Sequence, residues 1–147
     1  MSAPAHTWMV LELESDTAWL GLLRELSFEF ARLGCFESPQ AEQVALAVVE
    51  AATNVVEHAY AGQPGGRLEL RFSLGRELRV ELLDQGRPPA AGTLPELDLE
   101  RYRRERRNGG LGLHLMARIM DSVTFARRDG CNVCCLVKRT PEGSEAP

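Results

Sequence analysis

The stretch Val44-Ala45-Leu46-Ala47-Val48-Val49-Glu50-Ala51-Ala52-Thr53-Asn54-Val55-Val56 decides how the rest of the chain is read. It is apolar except for a carboxylate and an amide, with one threonine between them. Glu50 and Asn54 are four residues apart, so their side chains leave the same side of a helix, one turn from each other. A helix that is apolar nearly all round is expected to be buried. A carboxylate and an amide pointing inward from it are costly unless a polar or ionic group meets them. A metal ion on a bound ligand would do so, with the carboxylate held ready for proton transfer. The bland alternative is a polar stripe facing water, and Glu57 and His58 extend that stripe.

Outward from this helix the elements fall into order. Residues 7–14 alternate as a strand. Asp16 can cap a helix with the apolar face Trp19, Leu22, Leu23, Leu26, Phe30 and Leu33, stopped by Gly34. Ser38 and Pro39 supply a cap and a first-turn proline for the helix carrying Glu50, which is expected to run to about Tyr60. Leu68, Leu70, Phe72 and Leu74 share one face of a strand, and Leu78, Val80 and Leu82 one face of the next, with Gly75-Arg76 as the hairpin turn. A third helix opens at Gly109-Gly110-Leu111-Gly112 and continues through Leu113, Leu115, Met116, Ile119 and Met120. Strands near 122–128 and 132–139 flank Asp129-Gly130. The order β-α-α-β-β-loop-α-β-β predicts an α+β two-layer sandwich, a mixed, mostly antiparallel sheet with helices on one face.

The chain has 147 residues and a net charge of −4, enough for one domain, expected to span 1–147, without a basic field for nucleic acid. It holds no run of about 18 apolar residues, so no membrane span is expected. The N-terminus lacks the pattern of a signal peptide, so the chain is expected to be cytoplasmic. Cys131 and Cys134 form a C-x-x-C, but no second pair or histidine pair completes a zinc site, and residues three apart on a strand point to opposite faces. Reduced, partly buried thiols are the simpler reading. The tail 141–147 is expected to be disordered.

Two further groups carry chemistry. Asp84-Gln85-Gly86-Arg87-Pro88 follows a strand directly. Such a sequence is often only a turn, yet a carboxylate there can accept from an adenine amino group, with Gly86 letting the backbone approach the base. Asn108-Gly109-Gly110-Leu111-Gly112-Leu113 opens a helix. Its amides can cradle phosphate, aided by the helix dipole, or the glycines can form a hinge. It is neither a P-loop nor a dinucleotide fingerprint.

In sequence, Glu50–Asn54, Asp84–Pro88 and Gly109–Leu113 resemble the N, G1 and G2 boxes of the ATP-binding fold shared by gyrase, MutL, histidine kinases and a heat-shock chaperone. With the closing Leu136-Val137-Lys138, the chain is most similar to the compact bacterial anti-sigma factor serine/threonine kinases, over about residues 7–139. The resemblance implies ATP and Mg²⁺ as cofactors. Asn54 would bind the metal and Glu50 would act as general base. Asp84 and Gly86 would read adenine, while Gly109, Gly110, Leu111, Gly112 and Leu113 line the phosphates. Residues 87–108 would form an ATP lid, with Arg101, Arg103, Arg104, Arg106 and Arg107 reaching phosphates or lying solvated. The family's last-strand threonine, which helps fix an adenine-bound water, aligns with Cys135. The implied activity is phosphorylation of an anti-anti-sigma antagonist, with a sigma factor as second partner and a homodimer as assembly. Alternatives are a nucleotide-dependent binding module without kinase activity and the catalytic fragment of a sensor histidine kinase.

Overall fold

A computed structural model describes residues 7–88 and 110–141. Five strands form one sheet in the order β1-β2-β3-β5-β4: β1 Thr7–Glu14, β2 Arg67–Leu74, β3 Glu77–Asp84, β4 Ser122–Arg128 and β5 Cys131–Arg139. Among the described residues the α-helices are α1 Leu20–Leu33, α2 Ser38–Asn54 and α3 Gly110–Ile119. The α+β sandwich is as expected, and the sheet, expected to be mixed and mostly antiparallel, is antiparallel at each neighbouring strand pair among the described residues. The reason is topological. β5 is antiparallel to both β3 and β4 and lies between them, so β4 runs parallel to β3 without a parallel pair being hydrogen-bonded among the described residues.

The alternation read in the sequence sets the layers. Leu68, Leu70, Phe72, Leu74, Leu78, Val80 and Leu82 are buried on the helix side. The intervening Arg67, Arg71 and Arg79 are exposed on the other, where pairs such as Arg67–Glu12 at 2.9 Å form. The core joins this face to Val44, Ala47, Val48, Ala51 and Ala52 of α2 and to Met116 and Ile119 of α3. Phe30 of α1 meets Phe72 of β2 with ring centroids 5.3 Å apart. Lys138 Nζ donates to the Ile119 carbonyl at 2.7 Å, satisfying one of the orphan acceptors at the end of α3.

Three sequence expectations shift. Asp16 does cap, accepting from Ala18 N at 2.9 Å, but what it caps is a 3₁₀ turn, Thr17–Trp19, with α1 starting at Leu20. Trp19 therefore lies outside the phase of α1, whose buried stripe is Leu23, Ser27, Phe30 and Ala31; Trp19, Leu22 and Leu33 are exposed. Glu37, not Ser38, is the N-cap of α2, with Ser38 and Pro39 in its first turn. Finally, α2 is α-helical only to Asn54 and then widens into a π turn, Val55–Ala59, closed by Tyr60 N donating to Val55 O at 3.1 Å. No helix among the described residues is long and apolar enough to cross a membrane.

Candidate functional site

Glu50 and Asn54 are both half-buried on the last turns of α2. Neither side chain makes a hydrogen bond or ion pair among the described residues. Helix α3 approaches Glu50 through Gly112. A Cβ there would stand 2.6 Å from Glu50 Oε2, a distance that real Cβ atoms do not tolerate. The glycine read as opening the third helix is thus what lets that helix lie against the carboxylate. Leu113, next in line, packs on the core. Gly110 and Leu111 start α3, whose free amides point to its N-terminal side. Gly109, and all of the lid from residue 89 on, including its arginines, lie outside the described residues.

The Asp84 side is tied to the same helix. Asp84 ends β3 and is buried, 5 % exposed. Its Oδ1 accepts from Gly86 N at 2.9 Å and from Asn132 Nδ2 at 2.8 Å. No bond to Oδ2 forms among the described residues. Arg87 N donates to the Ala59 carbonyl at 2.7 Å, and Gln85 N donates to the Tyr60 hydroxyl at 2.9 Å. That hydroxyl in turn donates to Arg67 O at 2.6 Å. The π turn after Asn54 therefore anchors the loop after Asp84. The structure adds a packing requirement at Gly86: a Cβ on it would run into the Ala59 carbonyl. The missing side chain is demanded by the protein's own packing.

Cys135 is placed differently from the sequence alignment. In the β3–β5 register Asp84 faces Asn132, Leu82 faces Cys134 and Glu81 faces Cys135. Strand alternation puts Asn132 and Cys134 on the face of Asp84, and Cys135 on the opposite one. There Cys135 Sγ accepts from Arg79 at 3.3 Å. The last-strand group beside Asp84 is Asn132, with Cys134 next on that face. Burial, chiefly, pushes the Cys134 thiol far above its ordinary range, with Cys135 and Asp84 adding to it. Burial also raises Cys135, opposed by Arg79. Both thiols are neutral and poor nucleophiles.

Sequence reasoning missed Asn132 and Tyr60. The signal for Asn132 was present: it is the one amide in the apolar run Cys131–Val137, just as Glu50 and Asn54 stand out in α2. Tyr60 gave none, because its role depends on a π turn that sequence periodicity does not encode.

Glu50 and Asn54 carry one carboxylate and one amide oxygen on the last turns of α2, hard oxygen donors of the kind that take Mg²⁺ or Ca²⁺. Asp84 offers Oδ2, a carboxylate oxygen with no bond among the described residues.

Among the described residues the architecture is an antiparallel sheet under three helices, with a carboxylate-bearing helix against a glycine-opened one. A profile of the histidine kinase-like ATPase domain matches residues 13–138, and the chain belongs to that family. Within it, the chain is similar to the serine-protein kinase RsbW of Bacillus velezensis, 30% identical over 133 residues, covering 86% of this chain and 82% of that one. The serine-protein kinase RsbW of Listeria innocua is 30% identical over 145 residues, covering 89% and 87%. That of Bacillus subtilis is 29% identical over 137 residues, covering 86% and 82%.

Proposed function

We propose that the chain, as one domain, is a Mg-ATP-dependent serine/threonine-protein kinase and anti-sigma factor, acting in the cytoplasm on a protein antagonist. The observation that carries this reading is the meeting of Glu50 with Gly112. Glu50, the inner-stripe carboxylate of α2, stands against the first turn of α3, the end of a helix where backbone amides lack intrahelical partners. In this reading Asn54 holds the Mg²⁺ on the ATP phosphates. The metal supplies charge neutralisation for phosphoryl transfer, which otherwise depends mostly on positioning. Glu50 accepts the proton from the serine or threonine hydroxyl of the antagonist as its oxygen bonds to the γ-phosphorus and the bond to ADP breaks. Amides at the start of α3, around Gly110 to Leu113, line the phosphates, and Asp84 accepts from the adenine amino group. Sigma-factor binding and homodimerisation follow the family resemblance.

The test is phosphate transfer from Mg-ATP to candidate antagonist proteins, with Glu50→Ala beside the parent. A general base is worth about 10²–10⁴-fold, so the variant should bind ATP and lose transfer by that factor. If the parent binds ATP but phosphorylates no antagonist, the chain is a nucleotide-dependent binding module and the kinase reading fails.

A further inference from the structure

We infer that Asn132, held by Arg127, is a positioning residue that orients the Asp84 carboxylate and thereby sets the preference for a 6-aminopurine nucleotide. The inference rests on the proposed nucleotide site. Asn132 is buried, 7 % exposed, and sits directly across from Asp84 in the strand register. Its Nδ2 donates to Asp84 Oδ1 at 2.8 Å and lies 3.2 Å from Gly86 O and 3.4 Å from Arg87 O. The same Asp84 oxygen accepts from Gly86 N. Two donors converging on one oxygen fix the rotation of the carboxyl group, so Oδ2 is the oxygen left for a ligand.

The amide could meet Asp84 with either end, and only its nitrogen is compatible with a carboxylate. Arg127 makes that choice. From β4, directly opposite Asn132, its Nη1 donates to Asn132 Oδ1 at 3.0 Å. The guanidinium claims the amide oxygen and turns the nitrogen toward Asp84. The chain from cation to amide to carboxylate is polarised in one direction, which strengthens each bond. An exocyclic amino group can then donate to Oδ2. A 6-oxo purine presents an acceptor instead and is repelled. Base preference therefore depends on how firmly Asp84 is held, as well as on its being present.

The experiment measures Mg-ATP and Mg-GTP binding by calorimetry, with KM and kcat for phosphate transfer, in the parent and in Asn132→Leu, Asn132→Thr and Arg127→Met. The parent should favour ATP over GTP by about 10²-fold or more, as a site built to hydrogen-bond a ligand group does. Asn132→Leu keeps the shape and removes the donor. It should raise Kd and KM for ATP about 10- to 100-fold, shrink the ATP/GTP ratio, and leave kcat within about threefold. Asn132→Thr restores a hydroxyl donor and should recover most of the loss. Arg127→Met, at an exposed residue, should shift KM the same way by about three- to tenfold. An Asn132→Leu protein that is folded by circular dichroism, with affinity and ATP/GTP ratio unchanged, overturns the inference. If that variant does not fold, Arg127→Met decides, and an unchanged KM and ratio there overturns it equally. A parent that binds no ATP refutes the nucleotide site itself, a result distinct from either.

Discussion

Replacing Gly112 with alanine separates the chemistry of the proposed site from its stability. The added methyl would stand 2.6 Å from Glu50 Oε2, while the next Glu50 atoms are at ordinary distances of 3.6 and 3.9 Å. An unstrained carbon–oxygen contact is about 3.4 Å, so the carboxylate tip must retreat by roughly 0.8 Å. A misplacement of about 1 Å at a reacting group costs on the order of 10²-fold, equivalent to about 3 kcal/mol of barrier. Folding moves the other way, because glycine inside a helix is about 1 kcal/mol worse than alanine. The flexible tip of Glu50 can yield, so thermal stability should hold or rise slightly. Single-turnover transfer of labelled phosphate from ATP to an antagonist, at saturating ATP, reads the chemical step. The expected result is a loss of about 10²-fold with ATP affinity and melting temperature near those of the parent. Transfer within about threefold of the parent would refute the reasoning, as would a loss traced entirely to ATP affinity.

Asp84→Asn keeps an oxygen for Gly86 N and Asn132 and sets an amide donor where the free oxygen was. It should weaken ATP binding by about 10- to 100-fold, measured by calorimetry, with the fold intact. Tyr60→Phe removes the hydroxyl joining Gln85 N to Arg67 O and should cost about 1 kcal/mol in urea unfolding while raising KM for ATP. The Cys134 thiol is raised above its ordinary 9.0 by burial, so the folded state favours the protonated form. That contribution is complete below pH 9 and is lost as pH climbs through the window above it, by up to about 1.4 kcal/mol per pH unit. Cys134→Ala should flatten the fall in stability between pH 9 and 11 in denaturant titrations. In native alkylation at pH 8, exposed Cys35 should react well before Cys134.

The fold was legible wherever alternation or helical spacing met a buried face. The strand faces Leu68–Leu74 and Leu78–Leu82 and the start of the third helix appear as read. Where a residue sits beside a change of phase, periodicity misleads: Trp19 belongs to a 3₁₀ turn, and the polar stripe of α2 does not continue regularly through Glu57 and His58, because the π turn intervenes. The antiparallel sheet depended on β5 inserting between β3 and β4, a long-range choice that no local pattern carries. In the site, Glu50 and Gly112 stand together, and Asp84 and Gly86 join the end of the same helix. The last-strand partner was displaced onto Cys135, because sequence alignment across a short hairpin has no register of its own. Hydrogen bonding with Asp84 supplies one and selects Asn132.

The π turn after Asn54 has one more consequence. It adds a residue to a helical turn without breaking the helix, and so points the Ala59 carbonyl at Arg87 instead of along the helix axis. The result works as a fixed ruler: α2 measures from Glu50, through Asn54, to the anchor of the Asp84 loop. Deleting one residue from Val55–Ala59 would regularise the helix and change that length. The proposed catalytic side chains and the proposed base-reading loop would then both survive, set at the wrong distance for one ligand to span them.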